Sequence, residues 1–328
     1  MDSLIFALNA VAPIIIMVAI GYFLKKIGLM NSEFSKMANR LVFRVFLPTM
    51  LFYNVYKIED VGNLDLGYIV YALAALLVIF AISIPAVLIF TDKKSCRGVL
   101  IQGAFRSNYA LIGIPLSGAL FGTEGEKVAS LLSAVAIPAF NVLAVISLSV
   151  FKDSKTKTSI KKVVLEIIKN PLIQGVAAGL IVLAIRALFV RFGFGFRLTN
   201  IAPVEKILTY LSNLATPLAL LVLGAQFEFS SVSSLKKEII FGTFMKTVLA
   251  PAIGIGIAYI LFRDRFNGAH FAAFVAMFTT PIAVSSVPMA QEMDGDATLA
   301  GQLVVWTTFA CALTVFFASY LLKVAGVF

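Results

Sequence analysis

Apolar residues run in long blocks along this chain, and short polar stretches separate them. The blocks cover residues 3–24, 41–56, 66–90, 98–122, 128–151, 171–190, 207–227, 239–262, 271–291 and 297–322. A helix that crosses the hydrocarbon layer needs about 20 mostly apolar residues. The pattern therefore predicts an all-α membrane protein with ten transmembrane helices. The second block is short, but Ala38 to Arg40 can carry it into the headgroup region. The first block is expected to be retained: Asp2 precedes it, no small-x-small cleavage site closes it, and Lys25 and Lys26 follow as a stop-transfer flank.

Two blocks are interrupted in the same way. Phe105-Arg-Ser-Asn-Tyr-Ala-Leu-Ile-Gly-Ile-Pro115 matches Phe278-Thr-Thr-Pro-Ile-Ala-Val-Ser-Ser-Val-Pro288 in form, with Gly122 and Gly295 at equal distances beyond. Polar and helix-breaking residues at membrane depth are tolerated only where protein or a water-filled cavity surrounds them. Paired interruptions in two halves point to a transporter's binding site. The polar connection Lys152–Asn170 divides the chain into a first five-helix repeat (residues 1–151), a connecting loop with an amphipathic segment (152–170) and a second repeat (171–328). Five is odd, so the second set enters from the opposite side, giving a 5+5 inverted repeat. Pro13 and Gly21 match Pro171 and Gly179 in spacing, and Pro48 faces Pro217. Two amphipathic pieces flank the spans. Asn31 and Ser32 are expected to cap a short interfacial helix ending at Arg40, with Phe34, Met37 and Ala38 on one side, and Ile160 to Lys169 leads into the sixth block.

Composition agrees with the pattern. Of 328 residues 60% are hydrophobic and 13% charged, more apolar than the roughly 45–50% of soluble domains. The net charge of +10 is spread over short loops instead of one stripe, so no nucleic-acid partner is expected. Lysines and arginines concentrate in the loops that lie inside if both termini lie outside, among them Lys25, Lys26, Lys36, Lys93, Lys94 and Lys161. The expected location is the cell membrane. The two cysteines, Cys96 and Cys311, stand far apart and suggest neither a disulfide nor a metal motif.

All 17 Asp and Glu residues fall outside the ten blocks. Intramembrane carboxylates are the usual carriers of protons and cations, so an antiporter built on paired aspartates is disfavoured, though hydroxyls and carbonyls alone could still hold sodium. Arg44, Arg106, Arg186 and Lys246 do lie within blocks. Each costs at least ~2.5 to 3.5 kcal/mol at membrane depth unless something compensates it. Arg44 and Arg186 are near block ends and can snorkel. Lys246 is expected to reach the polar backbone of its own half. Arg106 stands beside the interruption, where it either snorkels or holds an anion.

A half-helix starting at mid-membrane presents unpaired N–H groups and the positive end of its dipole, which favours a carboxylate. The expected substrate-binding residues are Arg106, Ser107, Asn108, Tyr109, Gly113, Ile114 and Pro115 in the first copy. In the second they are Thr279, Thr280, Pro281, Ser285, Ser286, Val287 and Pro288. The bland alternative is that the prolines are ordinary kinks and the hydroxyls bond back to their own helices. No catalytic residue, metal ligand or cofactor is expected: His270 is alone, Asp294-Gly295-Asp296 reads as a turn, and Gly254-Ile-Gly256 lacks the strand and helix of a nucleotide site.

Asn108-Tyr-Ala-Leu-Ile-Gly-Ile-Pro115-Leu with Ala119-Leu-Phe-Gly122 resembles the crossover segment of the auxin efflux carrier family, which includes plant PIN proteins and bacterial carriers of malonate and related acids. Asn39-Arg40 with Pro48, Asn170-Pro171, Leu221-Val-Leu-Gly224 and Pro288 through Ala290-Gln-Glu292 are similar to that family too. The resemblance covers essentially the whole chain. It implies crossed, interrupted spans 4 and 9, a dimerising scaffold of spans 1, 2, 6 and 7, a moving unit of spans 3–5 and 8–10, and contact between Asn108 and a substrate carboxylate. Arg106 and Ser107 depart from the plant pattern, and the inner loop is much shorter, so a small acid fits better than an auxin. The expectation is a carrier of small organic anions working by elevator-type alternating access. A cation-coupled antiporter, a sodium-dependent symporter of the same fold and a non-transporting membrane receptor are the alternatives.

Overall fold

The computed structural model describes residues 2–57, 66–151, 160–193 and 195–328, and every regular element among them is helical. In order these are α1 (Asp2–Lys26), α2 (Ser32–Leu41), α3 (Leu47–Tyr56), α4 (Leu66–Phe90), α5 (Lys94–Phe105), α6 (Ile114–Val150), α7 (Ile160–Lys169), α8 (Pro171–Arg191) and α9 (Ala202–Gln226), then α10 (Ser230–Ser234), α11 (Lys236–Phe244), α12 (Ile257–Phe262), α13 (Gly268–Thr279), α14 (Ser286–Glu292) and α15 (Ala297–Val324). An apolar solvent leaves the backbone no partner but itself, and a helix satisfies that demand within one segment. Six helical stretches of the described chain are long and apolar enough to cross a membrane. Of the connection expected at 152–170, residues 152–159 lie outside the described residues, and α7 forms most of the rest.

The short interfacial helix expected to end at Arg40 does not stand alone. Asn31 caps it as expected, accepting from the Phe34 N–H at 2.7 Å, but α2 then continues through a wide π turn, Val42–Phe46, directly into α3. Its faces also differ from the expectation: Ser35, Ala38 and Asn39 are buried, whereas Phe34 and Met37 are exposed.

The wide turn has a cause. Proline removes one backbone donor and its ring clashes with the carbonyl four residues earlier. Lengthening the loop of the helix by one residue relieves that clash. Such turns end two residues before Pro48, before Pro115 (Tyr109–Gly113) and before Pro251 (Met245–Leu249).

α6 spans what the apolar blocks divided in two. Phe121 (φ −139°, ψ 26°) and Gly122 (φ 63°, ψ −157°) break it internally. Gly122 takes a left-handed conformation that a side chain would resist. The matching glycine of the second copy does not share this, since there Asp294 carries the positive φ of 59°. Asp294 to Asp296 form a turn, and Asp296 caps α15 by accepting from the Leu299 N–H at 2.8 Å.

Two close crossings join four helices. α1 packs on α9 with Gly21 against the backbone of Leu221 and Gly224 against that of Val18. α3 packs on α8 with Gly175 against the backbone of Pro48 and Gly179 against that of Phe52. At all four glycines a Cβ would overlap backbone, so the helices touch main chain to main chain. Elsewhere α13 lies along α6, and α5 packs between α4 and α6. Aromatic rings fill the space around α13, with Tyr71, Phe266 and Phe274 in mutual contact at 5.1–5.5 Å.

Candidate functional site

α5 stops at Phe105 because Arg106 turns to extended backbone (φ −76°, ψ 119°), and the chain resumes helical form at Tyr109. α13 stops at Thr279, where Thr280 is extended (φ −69°, ψ 152°) ahead of Pro281, as residues before proline tend to be. The two interruptions meet. The Asn108 N–H donates to the Pro281 carbonyl at 2.8 Å, and the Ser107 hydroxyl donates to the Met277 carbonyl. The Ile282 N–H donates to the Thr307 hydroxyl at 3.2 Å. Backbone that no helix satisfies is thus partly satisfied by the opposite half of the chain.

A cavity of about 750 Å³ lies against this junction. Asn108, Ala110, Leu111, Ile112 and Pro115 line it from the first interruption, and Val284 and Ser285 from the second. The Asn108 side chain is 6% exposed, and its amide nitrogen has no hydrogen-bond partner. The helical run that begins at Tyr109 leaves its first N–H groups without intrahelical partners, and two of those residues, Ala110 and Leu111, border the cavity. A neutral amide donor and a helix start facing one space make it suited to an anion.

Arg106 and Ser107 stand behind the cavity wall. Arg106 is 3% exposed; its guanidinium donates to Asn141 Oδ1 at 2.9 Å, Ser285 Oγ at 2.8 Å, Gln102 Oε1 at 3.3 Å and the Met289 sulfur. Lys246, 0% exposed, donates to the Ser107 hydroxyl of the other half, not to the backbone of its own. The remaining cations are settled at helix ends. Arg186 donates to the Tyr56 carbonyl at 2.8 Å, and Arg44 lies 3.7 Å from Glu292.

The other sequence-derived residues divide among several roles. Thr279 and Thr280 donate to the carbonyls of Val275 and Ala276 at 2.7 and 2.8 Å, so their hydroxyls serve their own helix. Gly113 packs against the Tyr109 ring and the Ala276 carbonyl, while Ile114 starts α6. The hydroxyls of Tyr109 and Ser286 are buried without a partner. Pro288 is buried within α14. Val287 lines a second cavity of about 580 Å³ together with Ser35, Gln226, Gln291 and Gln302. Leu220 and Val284 border the first cavity, Leu223 and Val287 the second. About one helical turn therefore separates the two spaces.

The far wall of the first cavity was not anticipated. Asn54, Ser212, Asn213 and Thr216 face it from α3 and α9. The only hint was their place beside the matched prolines Pro48 and Pro217. Among the described residues no group of three or more His, Cys, Asp or Glu could hold a metal ion.

Comparison with known proteins agrees with this architecture. The family described as "Membrane transport protein" matches residues 6–319. An uncharacterized transporter of Methanothermobacter thermautotrophicus is 22% identical over 307 residues, covering 92% of this chain and 93% of its own. An uncharacterized transporter of Methanocaldococcus jannaschii is 24% identical over 318 residues, covering 92% and 95%. Interrupted helices, apolar spans and a match along nearly the whole chain lead to one conclusion: the chain belongs to the membrane transport protein family, that of the auxin efflux carriers.

Proposed function

We propose that this protein carries small organic anions, carboxylates such as malonate or related acids, across the cell membrane. The observation that carries the reading is the unpartnered Asn108 amide, at a junction of two interrupted helices beside a 750 Å³ cavity. A carboxylate there accepts from Asn108 Nδ2 and from free N–H groups at the helix start. Ser285, whose hydroxyl oxygen is already taken by Arg106, can donate to the same anion.

In this reading ten crossings form a 5+5 inverted repeat with both termini outside. The scaffold is α1, the continuous run of α2 and α3, α8 and α9, joined by glycine crossings and paired with a second copy. The remaining spans move as an elevator, and the two cavities a turn apart are the access routes on either side of the bound acid. No cofactor or metal enters the scheme.

A thermal-shift series on purified protein with mono- and dicarboxylates tests the binding step, because a ligand held only by the folded state must raise its stability. At a concentration of 100 times Kd the gain is about 2.7 kcal/mol. At least one carboxylate is expected to raise the melting temperature in a concentration-dependent way. If none does, and labelled acids do not enter proteoliposomes, the assignment fails.

A further inference from the structure

The junction holds two buried cations and no acid to balance them. Arg106 and Lys246 are 3% and 0% exposed, and all of their partners are neutral: Gln102, Asn141, Ser285 and Met289 for the first, Ser107 for the second. No ion pair joins either to a carboxylate. Neutral acceptors restore part of the solvation a buried cation loses, but they do not cancel its charge.

Both cations also share hydroxyls or neighbours with the cavity. Arg106 holds Ser285, which lines it, and Lys246 holds Ser107, the residue next to Asn108. An anion bound at Asn108 and Ser285 therefore sits about one side chain away from each positive charge and supplies the missing counter-charge. Withdrawing it leaves two bare cations on α5 and on the run from α11 to α12, elements of the unit proposed to move.

We propose that the protein is an obligatory anion exchanger, whose moving helices cross the membrane readily only with an anion bound and return empty slowly. The inference rests on the carrier reading above and adds its mode. It follows from electrostatics: displacing uncompensated charge through a low-dielectric layer is costly, and a ligand speeds only the step in which it neutralises that charge. A coupling ion is not needed to drive such a cycle, since one anion moving out returns the site for another moving in.

The experiment is uptake of radiolabelled malonate and butyrate into proteoliposomes with the membrane potential clamped at zero. One set of vesicles is preloaded with the same unlabelled acid, the other with an inert sugar. Preloading is expected to speed uptake by at least about tenfold, the factor that even a modest charge penalty imposes. Equal rates in the two sets would overturn exchange while leaving the carrier itself standing. No uptake of either acid in either set would remove both the carrier and the exchange mode.

Lys246→Met and Arg106→Gln provide a second reading. Each is expected to bring the ratio of preloaded to empty-vesicle rates toward one by lightening the charge of the empty unit. The ratio comes from one preparation, so it does not depend on how much protein folds. A wild-type ratio retained in both variants would overturn the assigned cause.

Discussion

Asn108 has two duties that can be separated by substitution. Its N–H ties the first interruption to the Pro281 carbonyl, whereas its side-chain amide is buried with an unpartnered nitrogen at the cavity. Asn108→Ala keeps the first and deletes the second. A hydrogen bond to a charged group contributes about 1.5–3 kcal/mol, so carboxylate Kd is expected to rise by roughly 10- to 150-fold. Isothermal titration with the best acid from the thermal series measures this, and the ligand-free melting temperature is expected to change little. Asn108 was legible in the sequence because a polar residue next to a proline-bearing apolar run has few other reasons to exist at that depth. Lys246 was legible as an oddity but not in its partner: Ser107 lies 139 positions away, and no periodicity reports such a contact. The far-wall residues Asn54, Ser212, Asn213 and Thr216 were hidden because isolated amides and hydroxyls in apolar helices commonly serve their own backbone. Thr279 and Thr280 illustrate that alternative.

At the scale of elements, α14 is held on one side by α2 and α9. Asn39 of α2 donates to Gln226 at 3.1 Å and to Gln291 at 2.5 Å, and Gln226 also donates to Gln291 at 3.2 Å. Arg40 and Arg44 approach Glu292 at 3.9 and 3.7 Å, but both arginines are largely exposed, so screening leaves these pairs weak. The buried amides dominate the contact. Asn39→Ala removes two bonds, worth about 1–3 kcal/mol together, which shifts a two-state equilibrium by roughly 5- to 150-fold. A cysteine placed at Val287, in the second cavity, is expected to react faster with a thiol reagent in the Asn39→Ala background; an unchanged rate would mean that these amides do not hold α14 shut. The elements themselves were largely legible, since apolar length and proline placement set most boundaries. What escaped was the continuity of α2 with α3, because a π turn has no distinctive composition.

For the whole molecule, the spread of lysine and arginine over one set of loops predicts orientation. Lys36, exposed on α2 at the rim of the second cavity, belongs to the face proposed to lie inside. In a chain with Cys96→Ala and Cys311→Ala, a cysteine replacing Lys36 is expected to react with an impermeant reagent only in inside-out vesicles. Labelling in intact cells would invert the topology and exchange the roles of the two cavities. The wide turns carry a different consequence at this scale. Each one houses a residue more than an ordinary α turn, so removing a single residue at Val42–Phe46 would rewind the rest of that run by about 100°. Met50 and Asn54 would then swing away from the cavity they now border. Insertions and deletions, and not only substitutions, are thus a route by which relatives of this protein can acquire a differently lined chamber on an unchanged frame.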